Sequence, residues 1–132
     1  MARREPRWLD RIVIDAIHND QLREHGGLPG IRDENALESA LGRPRQRWHY
    51  GENVDIASLA AAYGFGLVKN HPYRDGNKRI GFLALVTFLG LNRYDLRATD
   101  ADVVTQIVAL ADGRVSEDAL ADWIRRHAAK QR

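Results

Sequence analysis

Nine consecutive residues hold most of the chemistry this chain can offer: His71-Pro72-Tyr73-Arg74-Asp75-Gly76-Asn77-Lys78-Arg79. They bring an imidazole, a carboxylate, a glycine, an amide and cations into one short segment. Pro72 and Gly76 mark a loop, and helical spacing begins at Asn77, so the loop feeds directly into a helix N-terminus. The first amide N–H groups of a helix have no acceptor within it and carry the positive end of its dipole. Phosphate is the natural occupant of such a place, and Gly76 lets the backbone approach it closely. Lys78 and Arg79 stand where acidic residues are preferred. Either one alone could simply reach into water, but the set fits a polyanion.

Asp75 suits Mg²⁺ held beside phosphates, because Mg²⁺ takes one or two protein carboxylates and completes its shell with phosphate oxygens and water. On spacing alone the commoner role is a cap for the following helix, and the two roles can coexist. His71 is the candidate general base, since a neutral imidazole accepts a proton from a hydroxyl near pH 7. A histidine taken alone is more often structural, and the company of His71 is what singles it out. His18, His25, His49 and His127 read as surface, cap or loop residues, and the five histidines lack zinc-site spacing.

The elements that must position this segment are helical. Trp8, Leu9, Ile12, Val13, Ala16 and Ile17 form a stripe at steps of three and four, ending before the glycine-rich loop His25–Gly30. Asp33 can cap a second helix with Ala36, Leu37, Ala40 and Leu41 inward, stopped by Gly42-Arg43-Pro44. The aromatic and polar stretch Arg45–Asn53, with Trp48, His49 and Tyr50, is expected to form a short extended flap. A third helix over Val54–Lys69 has alanines and two glycines that allow close packing. The Asn77–Leu89 helix is apolar nearly all round, as a helix at the centre of a bundle is, and Gly90 stops it. Tyr94–Leu96 is an extended link. Thr99 and Ser116 can cap two further helices, carrying Val103, Val104, Ile107, Val108 and Leu110, then Leu120, Trp123 and Ile124. The expected fold is all-α: about six helices around the central Asn77–Leu89 helix.

The chain's 132 residues suit a single domain with one hydrophobic core. With no cysteine, disulfides and thiolate metal sites are excluded. No apolar run is long enough to span a bilayer, and residues 1–6 lack a signal-type apolar core, so a cytoplasmic protein is expected. The formal net charge of +2 is only mildly basic. It argues against direct nucleic-acid binding, as does the absence of a basic stripe with interleaved aromatics outside Arg43–Tyr50.

The nine-residue segment resembles the Fic/Doc family motif His-Pro-Phe-x-[Asp/Glu]-Gly-Asn-[Gly/Lys]-Arg, with Tyr73 as a conservative change. His25-Gly26-Gly27-Leu28-Pro29-Gly30-Ile31-Arg32-Asp33, followed by Leu37–Leu41, resembles the N-terminal half of Doc toxins, and chain length and helix order also fit, so the likeness covers nearly the whole chain. It implies transfer of part of ATP onto a protein hydroxyl: AMP in most Fic enzymes, and in Doc toxins the terminal phosphate, onto a threonine of elongation factor Tu. By the resemblance, His71 would deprotonate the target, Asp75 would hold Mg²⁺, and Gly76, Asn77, Lys78 and Arg79 would bind nucleotide phosphates. Trp48, His49 and Tyr50 would lie in the flap that aligns the target.

Two departures from the AMP-transferring pattern favour phosphate transfer. Lys78 replaces a second glycine, and Phe82 stands where those enzymes usually carry another arginine. Gly76 departs from the best-known Doc pattern, which has alanine there, and leaves AMP transfer open. A non-catalytic module that binds a nucleotide or partner is the third alternative, and the intact motif argues against it. The Ser/Thr-x-x-x-Glu-Gly segment that restrains many Fic enzymes is absent, since none of Ser39, Ser58, Thr87, Thr99, Thr105 and Ser116 has a glutamate four residues on. By the resemblance, restraint would come from a Phd-like antitoxin whose tail folds into an apolar groove.

Overall fold

The structure, a computed structural model, describes residues 4–131. Six helices and two short strands run in the order α1 (Arg11–His25), α2 (Glu34–Tyr50), α3 (Ile56–Asn70), α4 (Asn77–Leu91), β1 (Tyr94–Leu96), α5 (Asp100–Ala111), α6 (Glu117–His127) and β2 (Ala128–Lys130). The helical bundle expected from sequence is present. β1 is the extended link, and it pairs antiparallel with β2, Asp95 opposite Ala129.

Local signals set most helix starts. Asp33 accepts from the Ala36 N–H, Thr99 from Asp102 and Ser116 from Ala119, at 3.0–3.1 Å. Asp55 does the same for α3 through the Ser58 N–H at 2.9 Å. Each cap satisfies one amide that the helix leaves open. At the other end of α4, the helix runs to Leu91, and the Asn92 side chain closes it by donating to the Phe88 carbonyl at 2.9 Å.

The centre of the bundle is α3 rather than α4. From Ala57 to Val68 all its side chains are buried except half-buried Phe65, and it packs on α2, α4, α5 and α6. α4 buries Ile80, Ala84, Leu85, Phe88 and Leu89 and leaves Phe82, Leu83 and Val86 half-exposed. The two helices approach closely because Gly64 and Gly81 face each other's neighbours. A Cβ on Gly81 would lie 2.6 Å from Val68 Cγ2, and one on Gly64 would lie 2.9 Å from Leu85 Cδ2.

Two expectations are corrected. α2 does not stop at Pro44 but continues to Tyr50, so Arg45–Tyr50 is helix, and Trp48, His49 and Tyr50 belong to no extended flap. An internal proline costs about 3 kcal/mol through its missing N–H and its ring. Here Pro44 is buried in the bundle, and the turns around it are clamped from α6. Glu117 accepts from Arg43 Nε at 2.7 Å and from Arg47 Nη1 at 2.8 Å. α1 is rotated from its apolar stripe: Ile12 is 81% exposed and Val13 38%, while Ile14 and His18 are buried. Its inner face carries polar groups with partners on the motif loop, which an apolar pattern does not reveal.

Among the described residues no helix is long and apolar enough to cross a membrane.

Candidate active site

His71 closes α3 in the left-handed conformation, φ 51° and ψ 53°. That region is uncommon for a residue with a Cβ, and it recurs where function fixes the backbone. Arg32 supplies part of the restraint. Its Nε donates to the His71 carbonyl at 2.7 Å and its Nη2 to the Asn70 carbonyl at 2.9 Å, capping the end of α3. The His71 side chain is exposed and, among the described residues, its ring makes no hydrogen bond. The ring is therefore open to contact with an incoming group.

The loop between His71 and α4 is held by its own side chains. Buried Asn77 accepts from the Tyr73 N–H and donates to the Tyr73 carbonyl, each at 3.0 Å. Its amide is thus a brace for the loop, and what Asn77 offers a phosphate is its backbone N–H. The Tyr73 ring is buried against His18, with centroids 3.8 Å apart and planes 16° apart. The Tyr73 hydroxyl donates to Asp15 at 2.9 Å. Burial, and then that acceptor, push the hydroxyl pKa above its ordinary value, so it remains a protonated donor. Asp15 pairs in turn with Arg11 at 2.9 Å, and Arg11 also meets Glu34 and Glu38 on α2.

Asp75 does not cap α4. Its Oδ1 accepts from the adjacent Gly76 N–H at 3.0 Å and its Oδ2 from the Leu28 N–H at 3.3 Å. The N-cap position belongs to Gly76, at φ 81° and ψ 15°, with no side-chain cap. The first intrahelical bond there runs from Ile80 N to the Gly76 carbonyl at 2.9 Å. The amides of Asn77, Lys78 and Arg79 are left without an acceptor in the helix. No acidic residue occupies the first turn, and among the described residues neither Lys78 nor Arg79 forms an ion pair. α4 therefore opens with free amides and free cations, as an anion site requires.

These groups share one cleft. His71, Asp75, Gly76, Asn77, Lys78 and Arg79 line a space of about 460 Å³, with Val68, Lys69 and Ala111 completing the wall. Lys69 adds a third cation that the motif does not include. Asp75 is the one carboxylate of this lining, and among the described residues no three acids or histidines are placed to hold a metal ion together. That donor set is too sparse for an all-protein metal cage, but it fits Mg²⁺ carried mainly by phosphate oxygens and water.

Trp48, His49 and Tyr50 are not brought to the cleft. α2 runs antiparallel to α3: Asn70 Nδ2 donates to the Ala36 carbonyl at 3.1 Å near the motif, and Gly51 meets Val54 at the far end. Trp48 lies about 18 Å along α2 from Ala36, at roughly 1.5 Å per residue. The segment that does border the motif is the glycine-rich loop before α2. Ile31 bridges Tyr73, with Arg32 N bonded to the Pro72 carbonyl at 2.8 Å and Arg74 N to the Gly30 carbonyl at 3.1 Å. Gly27, Pro29 and Gly30 were its visible signal. His18, expected as a surface, cap or loop residue, is a further correction. It is 3% exposed and its Nε2 lies 3.0 Å from the Asp75 carbonyl oxygen.

The sequence model of the Fic/DOC family matches residues 8–89, well over half of the chain and all of the motif. The chain belongs to the Fic/DOC family. Its similarity to curated members extends past the motif. It is 30% identical over 112 residues to "Protein kinase doc" of Escherichia phage P1, covering 84% of this chain and 87% of that one. It is 40% identical over 80 residues to "Toxin Doc" of Mycolicibacterium smegmatis, covering 59% and 60%. In this Fic/DOC chain the motif His71–Arg79 forms the loop after α3 and the opening turn of α4.

Proposed function

We propose that this Fic/DOC protein is a Doc-type toxin that moves the terminal phosphate of ATP onto a serine or threonine hydroxyl of a protein, with elongation factor Tu the first target to test. The observation that carries the reading is the junction of His71 with α4: an imidazole, Lys78 and Arg79 that are all unpartnered among the described residues, beside a helix start with free amides. The name "Protein kinase doc" of the phage relative supports it.

The chemistry is positioning plus electrostatics, as phosphoryl transfer generally needs. The first-turn amides, Lys78 and Arg79 hold the phosphates. Asp75 would hold Mg²⁺, which supplies charge neutralisation at the phosphate oxygens. His71 takes the proton of the target hydroxyl as its oxygen bonds to the terminal phosphorus. The bond from that phosphorus to the bridging oxygen breaks, and ADP leaves. The Gly26–Arg32 loop, already paired to the motif, is the edge along which a target segment can align.

Phe82 favours phosphate over AMP transfer. Where a second arginine would add charge, Phe82 instead joins Val103, Val104, Ile107 and Val108 in an apolar groove bordered by Lys78 and Arg79. Gly76 keeps AMP transfer as the second reading. The groove is the place we assign to the tail of a Phd-like antitoxin: Val104 is 59% exposed, and the adjoining cations fit an acidic residue on an amphipathic helix. A cytoplasmic location goes with this reading.

ATP labelled at the terminal or at the α-phosphorus, incubated with the chain, Mg²⁺ and a bacterial lysate, separates the alternatives. Protein-bound label from the terminal position only is expected, and none with His71→Ala. Label from the α position would replace the reaction with AMP transfer.

A further inference from the structure

His18 is the one buried histidine of the chain's described residues, and it lies outside the cleft lining, on the α1 side of the motif. Its Nε2 lies 3.0 Å from the Asp75 carbonyl oxygen. A carbonyl oxygen only accepts, so Nε2 carries the proton and donates it. The plane of the ring is set by its stacking on Tyr73, with centroids 3.8 Å apart. Tyr73 is itself held at both ends, by the Asn77 side chain on its backbone and by Asp15 on its hydroxyl. Asp15 and His18 sit three residues apart on one face of α1, so a single helix face sets both contacts.

The bond matters because the residue after Asp75 is a glycine. Gly76 has φ 81°, and glycine tolerates either sign of φ, so the Asp75–Gly76 peptide can rotate at low cost. In the observed orientation the carbonyl oxygen points to α1, and the Gly76 N–H meets Asp75 Oδ1 at 3.0 Å. A rotated peptide would release that carboxylate oxygen and turn a carbonyl lone pair toward the cleft, where it would repel phosphate.

We propose that His18 is a positioning residue: by donating Nε2–H to the Asp75 carbonyl, it locks the Asp75–Gly76 peptide so that the Asp75 carboxylate and the opening amides of α4 stay presented to a phosphate ligand. The phosphate part rests on the function proposed above, whereas the lock itself does not.

Two variants separate donor from ring. His18→Phe keeps the stacking on Tyr73 and removes the donor. His18→Gln loses the ring and keeps an N–H at about the reach of Nε2. The first readout needs no ligand: the amide NMR signals of Gly76 and Asn77. They are expected to be single and sharp in the wild type and in His18→Gln, and broadened or doubled in His18→Phe. The second is Mg·ATP binding by calorimetry. It is expected to weaken about tenfold in His18→Phe, the scale of one lost hydrogen bond, and to stay within about threefold of the wild type in His18→Gln. Unchanged amide signals and binding in His18→Phe would overturn the proposal. So would a His18→Gln variant as impaired as His18→Phe, since the ring and not the donor would then matter. If His18→Phe fails to fold, His18→Gln is judged against the wild type: broadened amide signals with binding weakened about tenfold would overturn the proposal. A wild-type chain that binds no Mg·ATP would overturn the phosphate-transfer reading, and the amide signals would still decide the lock.

Discussion

Tyr73 is pinned at its backbone by Asn77, at its ring by His18 and at its hydroxyl by Asp15. Tyr73→Phe removes only the last of these, and Asp15 keeps Arg11 as a partner. A loss of about 1 kcal/mol in stability is expected in urea unfolding. Gly27 is constrained differently, since a Cβ there would lie 2.9 Å from Asp75 Oδ2 on a backbone with φ 119°. Gly27→Ala is therefore expected to displace Asp75 and to slow transfer about tenfold or more, because small misplacements near reacting groups are costly. The measurement is the initial rate at saturating Mg·ATP, and an unchanged rate would remove Asp75 from the phosphate site. Most of the site was legible at this scale because the motif is contiguous. His71, Asp75, Gly76, Lys78 and Arg79 share a cleft because they lie on one loop and the helix turn it feeds. His18 was not legible, since its partner Asp75 is 57 residues away and a helical pattern counts a histidine as outward.

Among the elements, α2 shows where local rules fail. Gly42-Arg43-Pro44 is a sound stop signal, yet the helix continues because Glu117, at the start of α6, holds Arg43 and Arg47 on either side of the proline. A clamp from a residue so far along the chain leaves no trace in the local pattern. Glu117 is buried, so Glu117→Ala removes the main acceptor of two guanidinium groups and leaves Arg47 only the longer pair with Asp118 at 3.7 Å. It is expected to cost about 2 kcal/mol, below the full penalty for a buried pair because both arginines are part-exposed. Loss of helix content confined to Arg45–Tyr50, read from amide exchange, would accompany it. Equal exchange in the variant would show that Pro44 needs no clamp. The caps Asp33, Thr99 and Ser116, by contrast, were readable because an N-cap bonds within three residues of itself.

For the molecule as a whole, acid sensitivity is tied to the α3–α6 contact opposite the cleft. The Arg125 guanidinium holds the Asp55 carboxyl at about 2, below its ordinary 3.8, with the Ser58 N–H and hydroxyl adding to the effect. A carboxyl with a depressed folded pKa contributes stability above its unfolded value and loses it as pH falls toward the folded value. The contribution is therefore present above about pH 4 and fades toward pH 2. Because Asp55 is about half exposed, it is on the order of 1 kcal/mol after solvent screening. Arg125→Ala is expected to flatten this limb in melting curves between pH 5 and pH 2, and an unaltered limb would assign acid loss to other carboxylates. At the opposite end of α3, His71 and the α4 start are proposed to move phosphate to a protein. The most direct measurement is the intact mass of purified elongation factor Tu after incubation with the chain, Mg²⁺ and ATP, beside a folded His71→Ala control. A phosphate-sized gain that the control lacks is expected. An AMP-sized gain, or the same gain with His71→Ala, would contradict it.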